Sequence, residues 1–104
     1  MISSHILDTH LGKPAPNVTV RLIYQDQLIS EGFTNQDGRI SFNVQTLQAG
    51  HYKLIYDIAP YFSQHQLNTF FPEVCIQFYL DYLQEHYHIP LLISPYAYST
   101  YRGS

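Results

Sequence analysis

Read from its start, the chain alternates. Over Ile2 to Asp8, Ser4 and Ile6 fall on one side while His5 and Leu7 fall on the other, the period of a strand with one face against a core. Val18, Val20, Leu22 and Tyr24 alternate with Thr19, Arg21 and Ile23 to give a second strand, and Leu28 to Phe33 a third. Asn35-Gln36-Asp37-Gly38 is turn chemistry, since Asn and Asp favour early turn positions and Gly tolerates positive φ; it predicts a short fourth strand from Ile40 to Phe42. Tyr52, Leu54 and Tyr56 mark a fifth strand, and Val74, Ile76, Phe78 and Leu80 give the clearest alternation of all. Tyr87, Ile89, Leu91 and Ile93 form the apolar side of the next, which Ser94-Pro95 breaks before a Tyr- and Thr-rich strand from Tyr96 to Arg102. Loops are expected at Gly12 to Pro16 and at Asp81 to Glu85. Ala59 to Gln66 lacks the period and predicts one short helix with Pro60 in its first turn.

Seven or eight short strands, one short helix and no repeat predict an all-β protein, an antiparallel β-sandwich of immunoglobulin-like size. With 104 residues, the expectation is one domain over 1–104 with a single modest core. Pro90 sits awkwardly in this scheme. Proline cannot donate to a ladder and belongs at an edge or a bulge; on a central strand, its amide side must go unpaired.

Composition removes several classes of function. Only five residues are Lys or Arg and the net charge is −3, so no basic patch is expected for nucleic acid. No apolar run reaches the roughly 18 residues needed to cross a bilayer, and with four residues before His5 no signal peptide is expected. Cys75 is the single cysteine, which fits a reducing, cytoplasmic setting. It lies opposite Val74 and Ile76 and is expected to be a small buried hydrophobe rather than a nucleophile.

The candidate chemistry lies on the outward faces. His5 goes with Leu7, and His88 with Pro90 and Leu92, each opposite its strand's main apolar set. Both imidazoles are thus expected to point away from the core. His86 and His88, two apart, project from one face of a strand; with His5 they form a candidate three-histidine zinc site. No carboxylate or cysteine motif at ligand spacing supports it. Asp8 and Asp37 read as turn-formers, Tyr96 and Tyr98 as core or interface aromatics. Arg102, facing away from Tyr101, reads as a structural residue pairing with a carboxylate.

The ending SPYAYSTYRGS, the preceding HYHIPLL, SHILDT from Ser4, TNQDGR from Thr34 and FFPEV from Phe70 resemble the transthyretin-related 5-hydroxyisourate hydrolase family across essentially the whole chain. The resemblance implies a transthyretin-like sandwich, a homotetramer built as a dimer of dimers, and a metal-free, cofactor-free hydrolase. Its substrate would be the small molecule 5-hydroxyisourate, a cyclic amide of urate breakdown opened to 2-oxo-4-hydroxy-4-carboxy-5-ureidoimidazoline. It also implies a shallow site, at the meeting of two dimers, lined by residues matching His5, Arg39, His88, Tyr101 and Ser104. His5 and His88 would divide the base and acid roles, Arg39 would hold substrate oxygens with its planar fork, Tyr101 would contact the ring, and Ser104 would orient water or substrate. The alternative of a different class is a transthyretin-like carrier that uses the same face as a ligand channel. A carrier calls for an apolar slot, and two histidines, an arginine and a tyrosine argue against one.

Overall fold

The computed structural model describes residues 1–81 and 86–104. Nine strands and one helix run in the order β1 (Ile2–Asp8), β2 (Lys13–Pro14), β3 (Thr19–Tyr24), β4 (Gln27–Phe33), β5 (Arg39–Phe42), β6 (Gly50–Asp57), α1 (Ala59–Gln64), β7 (Glu73–Leu80), β8 (Tyr87–Ser94) and β9 (Ala97–Thr100). They form two packed sheets. One has the order β4-β3-β6-β7; the other runs β2-β1-β8-β9, with β5 also paired to β1. The alternating apolar positions meet between them: Ile2 and Ile6, Val20 and Leu22, Tyr52, Leu54 and Tyr56, Val74, and Leu91 with Ile93 are all essentially inaccessible to solvent.

The two-sheet sandwich and, among the described residues, the one short helix match the sequence pattern, although the last strand is shorter than expected, Ala97–Thr100 rather than Tyr96 to Arg102. The additional strand, β2, is two residues of the expected Gly12-to-Pro16 loop that pair with Leu7 and Asp8. The loop expected over Asp81 to Glu85 lies, past Asp81, outside the described residues. One pairing is parallel, that of β1 with β8, so the sandwich is not antiparallel throughout. Alternation reports which face a residue takes and carries nothing about the direction of the neighbouring strand; here all of β2 to β7 serves as the crossover that parallel pairing needs.

Three outward-facing residues, Cys75, Tyr96 and Tyr98, are more exposed than a core position allows. Cys75 lies opposite Val74 and Ile76 but is exposed, because no second layer covers that side of its sheet. Tyr96 and Tyr98 are exposed as well, so neither belongs to the core of this chain; every residue of the edge strand β9 is open to solvent. Tyr98 keeps one aromatic contact, edge-on to Phe71 at 5.1 Å.

Pro90 is central, between β1 and β9. Its carbonyl and that of His88 both face the β9 side, accepting from the Thr100 hydroxyl at 2.7 Å and the Gly103 N–H at 2.8 Å. The continuous β8–β9 ladder ends at Leu91 and Thr100 and returns as an isolated bridge between His88 and Gly103 in the same register. Two register positions are skipped, Pro90 opposite Tyr101 and Ile89 opposite Arg102, and at the first no N–H exists to donate. The proline thus interrupts the ladder and lets Tyr101 and Arg102 leave it before Gly103 returns beside His88.

Asp8 ends β1 fully buried. One carboxylate oxygen accepts the N–H groups of His10 and Leu11, as expected of a turn-former, and the other accepts the Tyr61 hydroxyl at 2.6 Å. That last bond ties α1 to β1. Burial, and then the neighbouring Asp8, raise the Tyr61 pKa, so the phenol stays a donor.

Candidate active site

The turn after β4 aims the first site residue. The Asn35 side-chain oxygen accepts the N–H groups of Asp37 and Arg39 at 2.9 and 3.0 Å, an Asx turn that ends where β5 begins. Gly38 adopts φ +71°, and a Cβ there would stand 2.6 Å from the Ile6 carbonyl oxygen. Only glycine fits. Gly38 instead accepts the Ile6 N–H at 2.8 Å, and this locks β5 in a register that sets Arg39 opposite His5.

On the other side of β1, the parallel register sets Ser3 level with His88 and His5 level with Pro90. Ser3, His5, Arg39 and His88 therefore share the outer face of one sheet. Arg39, Ser41, His86, His88, Ser3 and Ser104 line an open hollow of about 470 Å³. The Ser3 hydroxyl bonds Nδ1 of His88 at 2.8 Å and Nε2 of His86 at 2.9 Å. The pKa of His88 is lowered, first by partial burial and then by the charges of Arg39, His5 and His86. Near neutral pH, the ring is thereby kept in the form that can accept a proton.

The last residues close this side. A Cβ at Gly103 would lie 2.7 Å from Cδ2 of His88 and 3.1 Å from its carbonyl oxygen, so the tail packs directly on the imidazole and delivers Ser104 to the hollow. Tyr101 goes elsewhere. It is exposed and, with Arg102, Tyr87 and Ile76, lines a second hollow of about 240 Å³, for which His88 forms a shared wall. The Arg102 guanidinium lies 5.6 Å from the centre of the Tyr87 ring, a cation–π contact.

Of the expected site residues, Arg39, His88 and Ser104 line one hollow, His5 borders it through its pairing with Arg39, and Tyr101 faces the other side of His88. Ser3 and Ser41 were absent from the sequence reading, and His86 entered it only as a metal ligand. Ser3 was within reach of that reading, because it stands two residues from His5 and so shares its face. The zinc arrangement finds no such gathering: among the described residues, no group of three or more His, Cys, Asp or Glu is placed to hold a metal ion.

Fold and site together define a two-sheet sandwich whose exposed sheet face carries an imidazole and guanidinium centre suited to acid-base chemistry. Residues 2–103 match the model of the HIUase/Transthyretin family. A 5-hydroxyisourate hydrolase of Salmonella dublin is 44% identical over 110 residues, an alignment covering 100% of this chain and 81% of that protein. The solved 5-hydroxyisourate hydrolase of Klebsiella pneumoniae superposes with a TM-score of 0.89 at 38% identity, covering 99% of this chain and 92% of the other. Transthyretin from Sparus aurata also gives 0.89, at 26% identity and with 98% and 95% coverage. The chain belongs to the HIUase/Transthyretin family.

Proposed function

We propose that this protein is a hydrolase that opens the cyclic amide of 5-hydroxyisourate in urate catabolism, as a single domain over residues 1–104 and without a cofactor. The observation that carries the reading is that Ser3 pins His88 in the same hollow as Arg39 and Ser104, in surroundings that lower its pKa. Hydrolysis needs a proton taken from water, a site for the developing oxyanion, and a proton for the departing ring nitrogen. His88 is the base in this reading, because its surroundings leave the ring unprotonated and able to accept a proton near neutral pH. The planar Arg39 guanidinium offers a fork of donors to substrate oxygens. His5, paired with Arg39 across the strands, is the proton donor to the leaving nitrogen. The Ser104 hydroxyl orients the water, and Tyr101 contacts the ring.

Tyr101 stands apart from Arg39 within one chain, and the hollow is open. Both features fit a homotetramer in which the outer sheet faces of two dimers meet and complete a shared site by two-fold symmetry. A cytoplasmic location fits the single cysteine, and among the described residues no helix is long and apolar enough to cross a membrane. A hormone-type carrier would need an apolar channel where this chain places charge and imidazole.

The test follows the ultraviolet absorbance of freshly generated 5-hydroxyisourate as it decays, with and without the protein and again after chelator treatment. Faster decay that survives the chelator supports the cofactor-free hydrolase. Loss of acceleration on chelation points to a metal, and no acceleration at all refutes the reading.

A further inference from the structure

The geometry points to a proton relay in which the Ser3 hydroxyl fixes the tautomer of His88 and passes the proton that His88 collects out to His86. This rests on the hydrolase reading above. Its basis is one oxygen bonded to two imidazole nitrogens, Nδ1 of His88 at 2.8 Å and Nε2 of His86 at 2.9 Å. A hydroxyl has a single proton. It can donate to one ring only, so the other ring must present an N–H to it.

If His88 donates from Nδ1 and Ser3 donates to His86, then Nε2 of His88 carries a free lone pair and can act as a base. The opposite sense puts a proton on Nε2 of His88 and removes that capacity. Ser3 is only 7% exposed, so water has little room to replace it as the partner of His88. It sits level with His88 through the parallel pairing of β1 and β8, a placement fixed by backbone rather than by a flexible side chain.

Amide hydrolysis that ends in a carboxylate and a non-basic ureido N–H releases one proton for each substrate consumed, and that proton must leave the site. His88 takes it from water on Nε2. The Nδ1 proton then moves to Ser3 Oγ as the Oγ proton moves to Nε2 of His86. His88 becomes neutral with its remaining proton on Nε2, Ser3 regains its hydroxyl, and His86 carries the charge; exchange with solvent then returns both rings to their starting tautomers before the next turnover. His86 is exposed, where buffer can discharge it. The groups facing His88 favour this direction: His5 on β1 and Arg39 on β5 add positive charge beside it, His86 lies on its own segment, and Tyr101 and Arg102 flank it from the tail beyond β9.

Two variants test the relay in the full-length protein, Ser3→Ala and His86→Gln, each with two readouts. By ¹⁵N NMR of the imidazoles, wild-type His88 should show Nδ1–H with an unprotonated Nε2, and Ser3→Ala should shift it towards the Nε2–H form that free imidazole side chains prefer. In turnover, each variant should lose roughly ten- to a hundredfold in kcat with little change in KM, less than the about 10²–10⁴ attached to a whole general base. The lost rate should return as imidazole buffer is raised, while wild-type turnover stays flat. An unchanged His88 tautomer in Ser3→Ala, or His86→Gln turnover at the wild-type rate and indifferent to buffer, overturns the relay. Absence of turnover in the wild type instead removes the hydrolase reading, and the relay with it. A purely structural role for Ser3 predicts a slower Ser3→Ala enzyme that added imidazole does not rescue.

Discussion

Replacing Gly103 with alanine puts one methyl group against the imidazole at the centre of the site. The new Cβ would stand 2.7 Å from Cδ2 of His88, where ordinary contact begins at 3.4 Å, with the His88 carbonyl oxygen at 3.1 Å and Pro90 Cδ at 3.2 Å. The backbone oxygen and the proline ring hem in the methyl, so the imidazole must yield. Its shift stretches the 2.8 Å bond to Ser3 and turns the ring away from the hollow. Gly103 has no left-handed φ, so the whole effect is steric. Misplacing a catalytic group by about 1 Å can cost on the order of 10²-fold in rate, whereas overpacking costs about 1–3 kcal/mol, and at this surface position about 1. Gly103→Ala should therefore lose roughly 10- to 100-fold in kcat for 5-hydroxyisourate while Tm falls by only about 4–8 °C. Initial rates and a thermal melt on the same preparation decide it. A variant with kcat within about twofold of wild type would refute the claim that the glycine exists to seat His88.

Gly38→Ala should act the other way round, on stability first: both the positive φ and the 2.6 Å approach to the Ile6 carbonyl oppose it, and a loss of about 2–4 kcal/mol is expected. An unchanged urea midpoint would contradict the described turn. Asp8→Ala leaves the Tyr61 hydroxyl and two N–H groups without their acceptor, for a loss on the order of 3 kcal/mol, readable as a lowered denaturation midpoint and as faster amide exchange in α1. His88, with its folded pKa lowered, binds protons less readily when folded than when unfolded. Its contribution to stability is thus present above the ordinary imidazole pKa of about 6.5 and falls as pH drops through that value. Urea midpoints at pH 5 and pH 7.5 should diverge more for wild type than for His88→Gln, and parallel lines would contradict the assignment.

How much of this was written in the chain can be argued from single residues. The inward set, from Ile2 and Ile6 to Leu91 and Ile93, was legible because alternation by two is a local property of a strand and burial follows it directly. The outward direction of His5 and His88 came from the same rule, while the Asn35 turn and the proline at the start of α1 were legible from local turn and helix-start chemistry. Alternation also placed Cys75 correctly opposite its apolar neighbours; whether that side met another layer was not a local question, and it is open to solvent. The partners of each strand were equally out of reach. That β1 lies parallel to β8 and antiparallel to β5 depends on how the whole chain returns to its start, and that pairing alone brings Ser3 to His88 and Arg39 to His5 across many residues of sequence. Pro90 shows the division most plainly. Its missing N–H is chemistry that the sequence determines; only the tertiary structure puts that gap opposite Tyr101, where the broken ladder swings Gly103 back onto His88 and Ser104 into the hollow.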